Sequence, residues 1–245
     1  HSLALGQRLT LFFCSLFCGP HSGPLFCLAD FPYRLTTTPR VLPEMSIDGL
    51  FAQLSHPNPH QRDRLMHEII ASGDPSVSTR LLGLLDAEDV SLRRSAVRAM
   101  GAIGPAVEPL IRDKLAESVD PTISASCCKG MAQIAVAWPD HNFSAETIHL
   151  LGQKCLEPNP VVQLTAVMAL GEMGSLALPA LESALKSDDL AVIMATLNAL
   201  ASMNHAEGKL LVEQFLADGA HREDSMIQQA ATQALDRFSE QAWQS

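Results

Sequence analysis

Two arginines and a lysine, Arg94, Arg98 and Lys129, have the types and spacing that point most directly to binding chemistry. Guanidinium and ammonium groups on one helical face suit a ligand bearing carboxylates or an acidic patch on a partner. His67 falls on the same face, and the competing reading of all four is a solvated helix surface. The chain carries 27 Asp and Glu against 17 Lys and Arg, so such a patch is local. The overall field repels nucleic-acid phosphates, and no nucleic-acid partner is expected. Cys127 and Cys128 stand beside Lys129, which would activate a thiolate that reached solvent. Both occupy helix positions equivalent to Ala96 and Val97, however, and read as small apolar filler. Cys14 and Cys18 stand four apart with no second pair of ligands, and no metal is expected. His56 and His60 read as surface residues near turns. Trp138 and Phe143 fit two roles equally, covering the end of a helix pair or touching a ligand. With no Gly-rich phosphate loop, nucleophile elbow or His-Glu-x-x-His motif in the sequence, no catalytic residue is assigned.

The elements that would carry these side chains follow from an internal repeat. A phrase of a small residue, a large apolar anchor and a second apolar residue or small stop recurs as Ala99-Met100-Gly101-Ala102-Ile103-Gly104, Gly130-Met131-Ala132-Gln133-Ile134-Ala135 and Ala169-Leu170-Gly171-Glu172-Met173-Gly174. Weaker copies surround Ile69, Leu200 and Leu235, so anchors recur at intervals of 31, 31, 39, 30 and 35 residues. Such spacing predicts stacked helix pairs, because one amphipathic pair cannot cover its own apolar stripe. Each phrase belongs to the second helix of its pair, entered through turns such as Pro57-Asn58-Pro59, Asp120-Pro121 and Pro158-Asn159-Pro160. First helices are expected over residues 46–55, 76–85, 106–117, 145–156, 176–186 and 207–217. Val136 to Phe143 forms a longer connection that accounts for the 39-residue interval. Arg62 and Arg93 each stand seven residues before an anchor, where HEAT repeats often carry an Arg that bonds between repeats. The predicted fold is all-α, an α-solenoid of about six HEAT-like helix pairs over residues 45–245.

Residues 1–44 fall outside this pattern. They hold five of the nine Phe and the only Tyr, with Arg8, Arg34 and Arg40 against Asp30 and Glu44. Leu9 to Cys18 is an apolar run too short to span a bilayer as a helix, and no membrane insertion is expected. A signal peptide is one reading of it. The preferred expectation is a non-repeat extension, disordered or translated from upstream, with the natural start at Met45 before a helix cap at Ser46 or Asp48.

The opening from Met45 to Arg62, the run Asp89 to Gly104 and the run Pro158 to Gly174 resemble the cyanobacterial phycobilin lyase family with HEAT-like repeats, nearest its Z-type phycoerythrin branch. The resemblance covers residues 45–240. It implies a lyase subunit or chaperone that helps attach a linear tetrapyrrole, a bilin such as phycoerythrobilin, to a Cys of a phycobiliprotein. Partners would be a phycobiliprotein subunit and a second HEAT-repeat lyase subunit, in the cytoplasm at the phycobilisome. No cofactor would be held permanently; the bilin would be transient. Arg94, Arg98 or Lys129 would then neutralise the bilin propionates, and a carboxylate would hold its pyrrole N–H groups. The alternative is a HEAT-repeat adaptor without pigment, docking on phycobilisome proteins, for example to direct their breakdown.

Overall fold

The computed structural model describes residues 46–219 and 224–242. The predicted extension 1–44, the start at Met45 and the Cys14–Cys18 spacing lie outside the described residues. Twelve α-helices and no strands are present among those described. In order they are α1 (Ile47–Ala52), α2 (Pro59–Ala71), α3 (Val77–Gly83), α4 (Val90–Ile103), α5 (Glu108–Glu117), α6 (Pro121–Ala137), α7 (Ala145–Lys154), α8 (Pro160–Glu172), α9 (Leu178–Leu185), α10 (Leu190–Met203), α11 (Ala206–Asp218) and α12 (Ser225–Ala242). Odd and even helices alternate as six pairs, so the all-α solenoid expected from the repeat is the fold.

One local device starts every second helix. Asn58, Asp89, Asp120, Asn159, Asp189 and Asp224 each accept from the backbone N–H two residues on, at 2.7–3.0 Å. Each satisfies a donor that the first helical turn leaves orphaned. All six stand eleven residues before their anchors, so the register persists where the phrase itself fades. Arg62 donates to the His56 and Pro57 carbonyls at 2.7 and 3.1 Å, and Arg93 donates to those of Ala87 and Glu88. The bonds of Arg62 and Arg93 close the turn of their own pair, correcting the expectation that they bridge neighbouring pairs. Second helices end as regularly: Gly73, Gly104, Gly174 and Asn204 take positive φ four residues after their anchors.

Packing follows the small-residue column. Anchors Ile69, Met100, Met131, Leu170 and Leu200 are fully or almost fully buried, and each such side chain contributes roughly 2 kcal/mol on leaving water. Ala99, Ala169, Ala199 and Ala234 are buried beside them. At Gly101 a Cβ would come within 2.6 Å of the Gln133 Cβ, so α4 and α6 approach as closely as backbones allow. Neighbouring second helices touch extensively and neighbouring first helices only sparsely. That difference puts the second helices on the inner side of the array.

Candidate functional site

The ridge of second helices places the predicted basic residues in register. His67 on α2, Arg98 on α4 and Lys129 on α6 each lie two residues before their anchors, forming one row across three helices. Asp63 and Arg94 lie one turn earlier, six residues before theirs. From this register come two equivalent steps. In the first, Asp63 of α2 faces Arg98 of α4, and the two form an ion pair. In the second, the register sets Arg94 of α4 against Lys129 of α6, and the charge of Arg94 acts on Lys129 where opposite charges pair one helix earlier.

Burial pushes the Lys129 ammonium below its ordinary pKa, and the charges of Arg94 and Arg93 push it further the same way. Lys129 is half-buried and Arg94 exposed. Arg98 is committed to Asp63, a partner that sequence reading missed. The only signal was an Asp six residues before an anchor. His67 is exposed at the α2 end of the row.

Beyond Lys129 the ridge changes character. The positions two residues before the anchors are Met168 on α8 and Asn198 on α10, and the Asn198 side-chain oxygen accepts from Arg237 of α12 at 2.8 Å. Glu172 of α8 keeps an open surface, yet its neighbours desolvate the carboxyl enough to raise its pKa. Neither Glu172 nor Arg237 was singled out from sequence.

Trp138 lies off the row, nine residues after Lys129 and so about 13 Å further along the axis of α6. Its indole N–H donates to the Gly101 carbonyl at 3.1 Å, closing the last turn of α4, and 44% of the residue remains exposed. Phe143 is buried, its ring edge-on to His141 at 4.6 Å.

The long connection is tied down by a buried carboxylate. Glu108, at the start of α5, accepts from the Ser144 N–H at 3.0 Å, the Ser144 hydroxyl at 2.9 Å and the Thr147 hydroxyl at 2.7 Å, and lies 2.6 Å from His141 Nε2. Burial alone would raise its pKa, but the hydrogen bonds from Thr147, Ser144 and His141 outweigh burial and hold it below the ordinary glutamate value.

The thiols are chemically quiet. Cys127, Cys128 and Cys155 are fully buried, and burial pushes Cys127 and Cys155 up to about 12 and Cys128 also well up. A thiolate nucleophile at neutral pH is therefore not available from them. Among the described residues no group of His, Cys, Asp or Glu is arranged to hold a metal, and no helix is long and apolar enough to cross a membrane.

Comparison with known proteins adds relatives. The family of HEAT repeats matches residues 148–236. Phycocyanin operon protein Z of Pseudanabaena tenuis, described as uncharacterized, is 38% identical over 79% of this chain and 96% of its own length. The bilin biosynthesis protein CpeZ of a Synechococcus is 27% identical over 60% of this chain and 90% of its own. An engineered protein of known crystal structure shares 20% identity at a TM-score of 0.45, covering 80% of this chain and 98% of its own.

Proposed function

The chain belongs to the cyanobacterial family of HEAT-repeat proteins that contains phycocyanin operon protein Z and CpeZ, and from that premise we propose that it is a lyase subunit or chaperone in phycobiliprotein maturation. It holds a linear tetrapyrrole, phycoerythrobilin in the leading case, while the pigment is joined to a Cys of a phycobiliprotein subunit. A second HEAT-repeat protein is the proposed working partner. The observation that carries this reading is the juxtaposition of Arg94 and Lys129 on the inner ridge. In an acidic protein, two cations whose charges act on each other, one of them half-buried, suit a ligand that brings carboxylates.

The bilin propionates are neutralised at Arg94 and Lys129, with Arg98 and His67 continuing the row towards α2 and Trp138 bounding it along α6. Glu172, one helix over and one turn further on, is the ridge carboxylate placed to accept from pyrrole N–H groups. The contribution to reaction is positional: a ligand fixed at its acidic side chains presents its reactive carbon to the acceptor thiolate in one orientation.

Absorbance titration with bilin tests the assignment. The double variant Arg94→Glu, Lys129→Glu should bind at least tenfold more weakly, a loss above about 1.4 kcal/mol, and co-expression with a bilin source and a phycobiliprotein subunit should yield less covalently coloured subunit. Unchanged bilin affinity in a folded double variant would remove Arg94 and Lys129 from the site. No gain in coloured subunit from the wild type would favour the pigment-free adaptor.

A further inference from the structure

All the turns inside helix pairs gather on one edge of the array. Lys114 near the end of α5 reaches Asp86 just after α3, at 2.9 Å. The charge of Asp218 at the end of α11 acts on Lys186 just after α9, and that of Arg93 at the start of α4 acts on Asp120 at the start of α6. The charges of Asp86, Lys114 and Lys154 all act on Cys127 of α6, so the second, third and fourth of these turns are neighbours in space. Along this edge stand Val90, Val119, Leu156, Val161 and Met226, exposed by 47%, 98%, 58%, 54% and 56%. They are five of the nine large apolar side chains left most open among the described residues. Single exposed apolar residues are ordinary, but a row over the second, third and fourth of these turns is not. Val119 between Ser118 and Asp120 packs on nothing that would favour Val over Ser or Asn in a turn.

Carboxylates outnumber cations between these residues. Glu88, Asp89, Asp120, Asp188 and Asp189 lie among them and take part in none of the ion pairs between described residues. Of the nearby cations, Lys114 pairs with Asp86, Lys154 with Glu157 and Lys186 with Glu182, while Arg93, bonded to the Ala87 and Glu88 carbonyls, keeps its charge. The opposite edge offers Trp138, already bonded to Gly101, and Leu176.

We propose that the within-pair edge, from Val90 through Val119 to Leu156 and Val161, docks a protein partner whose contact face has an apolar centre ringed by Lys and Arg. Charge complementarity selects that occupant. The carboxylates repel nucleic acid and anionic membranes, and they attract a cationic rim. The inner ridge stays free for its own ligand, so this inference does not depend on the pigment reading.

Two synthetic amphipathic helices with the same leucine face, one flanked by Lys and the other by Glu, serve as probes in calorimetry and in amide chemical-shift mapping. The Lys peptide should bind the full chain, with perturbations confined to the turns around residues 87–90, 118–121 and 156–161. The double variant Val119→Ser, Leu156→Ser should weaken it at least tenfold with unchanged circular dichroism, while Leu176→Ser on the opposite edge should not. Equal binding of both peptides, perturbations centred on α4 and α6 ridge residues, or indifference to the serine variants would overturn the proposal. So would self-association by sedimentation that disappears in the double variant, because the occupant would then be a second copy. None of these failures touches Arg94 and Lys129, whose bilin titration is read separately.

Discussion

The junction after α6 and the junctions after α2, α4, α8 and α10 solve one problem in different ways. Four second helices stop on a residue of positive φ four positions past the anchor: Gly73, Gly104, Gly174 and Asn204. In α6 that position is Ala135, and the helix runs on to Ala137. Without a left-handed stop the chain cannot reverse at once, and the connection to α7 is long. Its conformation is then set by side chains, Trp138 reaching back to Gly101 and Ser144, Thr147 and His141 converging on Glu108. A backbone stop is local and robust; a side-chain tie depends on one buried carboxylate.

Removing that carboxylate should produce the largest stability effect. Glu108→Ala strands the Ser144 N–H, the Thr147 hydroxyl and the His141 ring in a site where only 5% of Glu108 is exposed, and should cost about 3–5 kcal/mol in urea denaturation. Glu108→Gln keeps the volume and should cost less. The sign with pH follows from the lowered pKa. Hydrogen bonds to the ionised form stabilise the fold fully above the ordinary glutamate value of 4.5, and that stabilisation is lost as pH falls through the lower folded value. Wild type and Glu108→Gln should therefore converge in stability below pH 4.5. A gap that stays constant down to acid unfolding would show that the tie does not depend on charge.

Next in size is the place where stop and tie meet. Gly104 has φ 84° and ψ −145°, a conformation essentially confined to glycine, and a Cβ there would lie 2.3 Å from Trp138 Nε1. Gly104→Ala should cost about 2–3 kcal/mol and shift Trp138 fluorescence as the indole is displaced. Gly73, with φ 66° and nothing within 4 Å of a Cβ, provides the control: Gly73→Ala should cost about 1 kcal/mol. Equal costs at the two positions would mean that Trp138 yields freely and is not part of the tie.

These contrasts also mark what could be read from sequence. The anchors and their intervals predicted six helix pairs, and the expected first helices overlap the observed ones throughout. Leu176 and Ala106, foreseen in helices, lie in short 3-10 segments that precede α9 and α5. Both α-helices carry Pro at their second position, Pro179 and Pro109, where the missing N–H is tolerated only near a helix start. The 39-residue interval revealed an insertion after α6, but not its anchor, because Glu108 lies 36 residues before Ser144 and looks like an ordinary acid at a helix start. For the same reason Arg98 read as available although Asp63, 35 residues away, binds it. Helical periodicity reports which face a side chain takes. It carries no information about which residue of the next pair stands opposite, and the difference between the Asp63–Arg98 and Arg94–Lys129 steps emerges only once α2, α4 and α6 are set side by side.

The smallest expected effect tests whether the stop itself is sufficient. Asn204 is the one non-glycine residue of positive φ among those described, at φ 49° and ψ 41°. Asn enters the left-handed region at lower cost than other residues with a Cβ, and Gly enters it without that strain. Against this, Gly gives the unfolded chain more freedom. The two terms nearly cancel, so Asn204→Gly should change stability by no more than about 0.5 kcal/mol, whereas Asn204→Ala should destabilise by about 1 kcal/mol. Thermal unfolding of the two variants side by side separates the contributions. If Ala were tolerated as well as Gly, the turn after α10 would be held by its neighbours rather than by its own backbone, and it would belong with the junction after α6.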